Sequence, residues 1–144
     1  MNIFKALDIS ASALQAQKTR MNTISSNLAN IQTTRTPDGG PYRKKSVVFE
    51  STPVNGFEEH LSRAKNEHAQ GVRVAEIQSD QSPFKKIYDP AHPDADENGF
   101  VQLPNVNLMA EIADMMSATR SYEANVTVIK SVKRMALKSL EIGK

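Results

Sequence analysis

The chain has 144 residues, 18 basic against 16 acidic, and no cysteine. So even a charge balance lacks the concentrated basic footprint of a nucleic-acid binder. The missing cysteine excludes disulfide staples, thiolate metal sites and cysteine nucleophiles. No run approaches the roughly 20 consecutive apolar residues of a membrane-spanning helix.

The N-terminus does not have the pattern of a cleavable signal. Lys5 is a thin basic region, Asp8 interrupts the apolar stretch, and Gln15, Gln17 and Lys18 follow too soon. The expectation is a cytosolic chain, or one that leaves the cytoplasm without a cleaved signal. From residue 3, steps of four and three visit Ile3, Leu7, Ser10, Leu14, Gln17, Met21, Ile24, Leu28 and Ile31, of which seven are apolar. This spacing predicts a helix from 3 to about 33 with a coiled-coil seam. No acidic residue lies between Asp8 and Asp38, and the other faces carry Ala, Ser, Asn, Gln and Thr. A solvated helix ordinarily carries Glu and Lys pairs. Small neutral groups are poor helix formers but allow close approach without burying charge. The composition therefore implies contact on several faces, with ordering on assembly.

Residues 34–42, Thr-Arg-Thr-Pro-Asp-Gly-Gly-Pro-Tyr, form a breaker cluster. Strands are predicted at 43–50, at 71–77 and at 84–88, with a turn at Asn55-Gly56 after which 57–61 pairs back. Residues 62–70 carry charge and no pattern, and 89–99 form a Pro-, Asp- and Gly-rich loop. So few large apolar residues cannot build an independent core.

A second helix is predicted from about Asn107 to Gly143, with Asn105 or Asn107 as N-cap and Gly143 as stop. Its seam runs Leu108, Ile112, Met115, Thr119, Tyr122, Val126, Ile129, Lys133, Ala136 and Leu140, eight of ten apolar if Ala136 counts. Glu111 and Asp114 near its start, and Lys130, Lys133, Arg134 and Lys138 near its end, complement the helix dipole. The two helices would be roughly 45 and 50 Å long, well matched to lie side by side. The expected fold is mainly α with a small β insertion. Long N- and C-terminal helices pack as an antiparallel coiled coil, with short antiparallel strands between them. The segments are an N-terminal helix at 1–34, an irregular β-rich middle at 35–104 and a C-terminal helix at 105–144.

Other chemistries have little support. Asp94-Ala95-Asp96-Glu97-Asn98-Gly99 matches the first half of a calcium loop. Position 12, however, is Asn105 rather than a bidentate glutamate, and Pro104 breaks the exiting helix, so an acidic turn with Gly99 at positive φ is the simpler reading. His60, His68 and His92 have no metal-ligand spacing, and no G-x-S-x-G supports a hydrolase. Gly39-Gly40 precedes Pro41 and no helix, so it is not a phosphate loop. Arg43-Lys44-Lys45 reads as a solvated strand edge. No catalytic, metal or cofactor-binding residue is assigned, and no enzyme is indicated. A private helical hairpin, a soluble helical adaptor or export chaperone, and a calcium-binding module stand as alternatives.

Ser25-Ser26-Asn27-Leu28-Ala29-Asn30-Ile31-Gln32-Thr33 resembles the N-terminal signature of the flagellar rod and hook axial family, with its paired asparagines three apart inside an apolar seam. Asp96-Glu97-Asn98-Gly99-Phe100-Val101, then Pro104-Asn105-Val106-Asn107, resembles the segment before the last helix in proximal-rod members of that family. Ser117 to Val126 and Leu137-Lys138-Ser139-Leu140 extend the likeness, with Glu123 where a glutamine is commoner.

The resemblance implies a structural axial protein with no catalysis and no cofactor. Such proteins pass unfolded through the flagellar type III export apparatus without a cleaved signal, then polymerise beneath the hook, within the envelope, as part of the drive shaft. It implies terminal helices in an inner tube and an outward-facing middle. The implied partners are copies of itself, other proximal rod proteins, the rod–ring junction protein and the distal rod, with no nucleic acid and no membrane span. Within that reading Leu7, Leu14, Met21, Ile24, Leu28 and Ile31 pack on Ile112, Met115, Tyr122, Val126, Ile129 and Leu140. Asn27 and Asn30, with Asn125 on the second helix, are candidate register residues that bond backbone or a neighbour, a plain C-terminal cap being the alternative for Asn30.

Overall fold

A computed structural model describes residues 3–53 and 70–142. The order is α1 (Ile3–Ala29), β1 (Lys45–Pro53), β2 (Gln70–Ser79), β3 (Lys85–Tyr88), β4 (Phe100–Leu103) and α2 (Leu108–Ile142). The expected turn at Asn55-Gly56, the pairing strand at 57–61, His60, His68 and the stop at Gly143 lie outside the described residues.

The two long helices pack antiparallel: Asn27 near the end of α1 meets Glu111 near the start of α2, and Met21 meets Thr119. α1 ends about four residues earlier than its seam predicts. The Asn30 side-chain amide donates to the Ser26 carbonyl at 2.9 Å, and the Thr33 amide closes onto the Asn30 carbonyl at 3.1 Å. This polar turn satisfies the carbonyls that a fraying helix end leaves open. At the other helix, Asn107 is the N-cap, its Oδ1 accepting from the Met109 and Ala110 amides.

The seam of α2 is corrected at three positions. The covered line runs through Glu111, Met115, Ala118, Tyr122, Asn125, Ile129, Val132 and Ala136. It shares Met115, Tyr122, Ile129 and Ala136 with the expected seam but replaces Ile112, Thr119 and Lys133 by the residue before each, while Asn125 and Val126 are both half-buried. Ala118 is fully buried while Ile112 keeps 42% of its surface exposed. Small Ala118 lets the helices approach closely, and Glu111 turns inward because partners wait for it there.

β1 and β2 form an antiparallel ribbon from Lys45↔Ser79 to Pro53↔Gln70. Its register shifts between Val48 and Phe49, where Ala75 has no partner, a bulge that bends the ribbon. The expected strands at 43–50 and 71–77 are therefore partners of each other. The ribbon lies on α1, and the Val72 amide donates to Ser12 Oγ at 3.1 Å. Many small hydroxyls of α1 bond back to their own helix, as Thr19 and Thr23 do. The neutral faces of α1 thus meet α2 on one side and the ribbon on the other.

β3 pairs antiparallel with β4, a strand that the sequence patterning did not assign. Gly99 closes this hairpin at φ +78°, and a Cβ there would fall 2.9 Å from Tyr88 Cε2.

Candidate assembly site

The polar heart of the molecule forms where α1 finishes, β1 begins and α2 starts. Asn27 is 1% exposed and makes four hydrogen bonds. Its Nδ2 donates to the Lys45 carbonyl at 2.8 Å and to Glu111 Oε2 at 2.9 Å. Its Oδ1 accepts from the Lys45 amide at 2.9 Å and from the Tyr42 hydroxyl at 3.0 Å. That satisfies the full capacity of an asparagine amide. One side chain thereby joins both helices to the first strand.

Glu111 is as deeply buried as Asn27, and Lys44 Nζ stands 2.7 Å from its Oε1. The angle is off the hydrogen-bonding line, so this is a charge–charge contact rather than a well-directed bond. A buried carboxylate without a countercharge is costly, so Lys44 and Asn27 are what allow Glu111 to face inward. One turn on, Arg20 and Asp114 pair at 3.3 Å across the helices, partly exposed. Asn105 adds a second clamp. Its Oδ1 accepts from the Lys44 amide at 2.8 Å, while its Nδ2 reaches the Asp80 and Ser82 carbonyls at 3.3 Å. Beside it, the Ser82 hydroxyl and amide donate to Asp80 and hold its carboxyl below the ordinary value of 3.8.

The run Arg43-Lys44-Lys45 is therefore not a plain solvated edge. Lys44 enters the buried pair, and Arg43 lies 4.3 Å over the Phe84 ring while donating to the Asp80 carbonyl. The acidic turn is occupied by the protein itself. Asp96 Oδ1 accepts the Asn98 and Phe100 amides, and Asp94 accepts the Thr34 hydroxyl. Among the described residues no three His, Asp or Glu are grouped to hold a metal ion.

Of the residues singled out from the sequence, Ile24 and Asn27 are buried. Leu7, Leu14, Met21, Leu28, Asn30, Ile31, Met115, Tyr122, Asn125, Val126 and Ile129 are half-buried. Asn30 and Asn125 bond their own helices, at the Ser26 and Ser121 carbonyls. Ile112 and Leu140 do not join the helix pair; Leu140 is 72% exposed, beyond the reach of the first described turn of α1. Sequence reasoning missed Glu111, Lys44, Tyr42 and Asn105 as a linked set. The available signal was Glu111 at seam spacing from Met115 and Ala118, an acid where an apolar residue is expected.

A second feature is on the outside of α2. Leu108, Ile112 and Met116 repeat every four residues and, with Met109, expose an apolar line that nothing in the described chain covers. The arrangement thus combines a locked polar knot inside with an unpartnered apolar stripe outside. It holds chain segments in register and offers a surface for another.

Comparison with known proteins bears on what that surface meets. Residues 7–35 match the family described as flagella basal body rod protein, and residues 97–142 match the flagellar basal body rod FlgEFG protein C-terminal family. The chain is 46% identical to the flagellar basal-body rod protein FlgC of Borreliella burgdorferi, covering 99% of this chain and 98% of that one. It is 45% identical to the protein of the same name in Bacillus subtilis, over the whole of both chains. To the Salmonella typhimurium protein of that name it is 44% identical, over 99% of this chain and 97% of the other.

Proposed function

The chain belongs to the flagellar basal-body rod protein family and is a structural subunit of that rod, and we propose that it builds the proximal part of the rod through its paired terminal helices. It resides in the flagellar basal body and assembles with other rod proteins. In this reading the knot around Asn27 sets the angle between the helix pair and the ribbon, and the stripe on α2 packs on neighbours. The segment 35–104 then faces outward, toward the rod–ring junction protein, while the distal rod continues above. The chain reaches its site within the envelope through the type III export apparatus.

The observation that carries this reading is the exposed line Leu108, Met109, Ile112 and Met116. A contiguous apolar strip of this kind on a long helix is a protein-contact surface by default. Replacing Ile112 and Met116 by aspartate tests it, in cells that depend on this chain for motility. The expected result is normal amounts of folded protein with rods that fail to form. Swimming cells carrying the double variant would overturn it.

A further inference from the structure

The chain has six methionines and neither cysteine nor tryptophan, so thioethers are its only sulfur and its most readily oxidised side chains. The described methionines differ sharply in access. Met109 is 76% exposed, Met135 55% and Met116 53%, all three on α2. Met21 and Met115 are half-buried, and the Met21 sulfur also accepts the Thr119 hydroxyl at 3.8 Å.

Two of the exposed sulfurs share one face. Met109 and Met116 stand two helical turns apart, about 10 Å along the axis, with Ile112 between them. Together with Leu108 they make up the apolar stripe, so half of its side chains are thioethers. Leucine and isoleucine keep their polarity under oxidants, whereas a thioether does not. Its sulfoxide is polar and disrupts the apolar contacts that methionine makes. Met135 lies about five turns beyond Met116 and off that face.

We propose that Met109 and Met116 form an oxidation-sensitive site that controls whether the stripe can dock. In the step, the thioether sulfur attacks one oxygen of hydrogen peroxide. An S–O bond forms and the O–O bond breaks. The sulfur loses two electrons, and water leaves with the proton of the transferred hydroxyl. Methionine sulfoxide reductases reverse the change. The proposal rests on the rod reading of the stripe and adds its control. A subunit oxidised before it docks keeps its fold, because both side chains lie largely on the surface, but it is left out of the rod. A docked subunit is protected, because the same contact covers both sulfurs.

Peptide mass mapping of the purified chain during hydrogen peroxide treatment tests the chemistry. Met109, Met116 and Met135 are expected to gain one oxygen at about five times the rate of Met21 and Met115, or faster, with the circular dichroism unchanged. Equal rates at all five sulfurs, or loss of the fold on oxidation of the exposed three, overturn the proposal. Glutamine, polar, uncharged and of similar length, then stands in for the sulfoxide in cells that depend on this chain for motility. M109Q and M116Q together are expected to lower the number of rods about tenfold or more at normal amounts of folded protein, while M135Q keeps its rods. Cells with the double glutamine variant that build rods normally overturn the proposal. So does an M135Q variant that fails equally, because the loss would then not belong to the stripe. The aspartate variant at Ile112 and Met116 separates this from the rod reading. If it blocks rods while the glutamine pair does not, only the oxidation site falls; if neither blocks them, the stripe itself falls.

Discussion

The two terminal helices look alike as heptad patterns, yet the chain treats them differently. α1 is enclosed, with α2 on one side and both strands of the β1–β2 ribbon on another. Among the described elements α2 packs on α1 alone. The difference explains their compositions. α1 carries neutral hydroxyls and amides where two sets of neighbours approach it, and α2 carries four methionines and more charge because much of its surface is exposed. Neutral flanks on α1 do not by themselves call for an external partner, since the ribbon supplies a second contact. The case for assembly rests instead on α2.

If that contrast is right, an asparagine on α1 and one on α2 differ most. Asn27→Ala leaves the Lys45 amide and carbonyl, the Tyr42 hydroxyl and the Glu111 carboxylate short of a buried partner, and is expected to cost about 3–4 kcal/mol. Asn125→Ala removes one bond to its own helix and should cost about 0.5 kcal/mol. Urea denaturation of the two variants measures both. Equal losses would erase the distinction between the helices.

The ion pair comes next. Lys44→Met strips Glu111 of its countercharge and should cost about 2–3 kcal/mol, held below the range of a fully buried pair because Lys44 is partly exposed. Adding Glu111→Gln should recover much of that loss, so the double-mutant cycle is non-additive. Additive losses would mean that Glu111 faces inward for reasons unrelated to Lys44. A smaller contrast tests the ribbon's hold on α1. Ser12→Ala deprives the Val72 amide of its acceptor and should cost about 1 kcal/mol. Thr127→Ala, an exposed hydroxyl on α2 bonded to its own helix, should be near neutral, within about 0.5 kcal/mol.

Both helices, their antiparallel pairing and three of the four strands were legible because hydrophobic spacing and breaker residues report local structure directly. The partial misreading of the α2 seam has a definite cause. Apolar residues occupy two adjacent lines on that helix, one through Met115, Tyr122 and Ile129 and one through Leu108, Ile112 and Met116, and spacing alone does not say which turns inward. Glu111 decides it, and its partners Lys44 and Asn27 are distant in sequence. Asn27 and Asn30 are equivalent in the signature, yet the first binds three segments and the second caps its own helix. Only the third dimension separates them, since Asn27 faces β1 and Asn30 lies past the last full turn. β4 was missed because Phe100-Val101-Gln102-Leu103 is short and follows an acidic turn that drew the reading toward a loop.

The least expected change in stability belongs to the outer line of α2, and there a null result is informative. Ile112→Ser and Met116→Ser alter residues already 42% and 53% exposed, so each should move unfolding by no more than about 0.5 kcal/mol. Ile24→Ala on α1 makes the opposite demand, at about 3 kcal/mol, because Ile24 is buried and its loss leaves a cavity. Measured on the isolated chain, the serine variants should therefore resemble the unmodified protein in urea midpoint and in slope. Substantial destabilisation by Ile112→Ser would place Ile112 back in the intramolecular seam and leave α2 without its outward stripe. Unchanged stability with defective rods would mean that these side chains serve a contact that the single chain does not make.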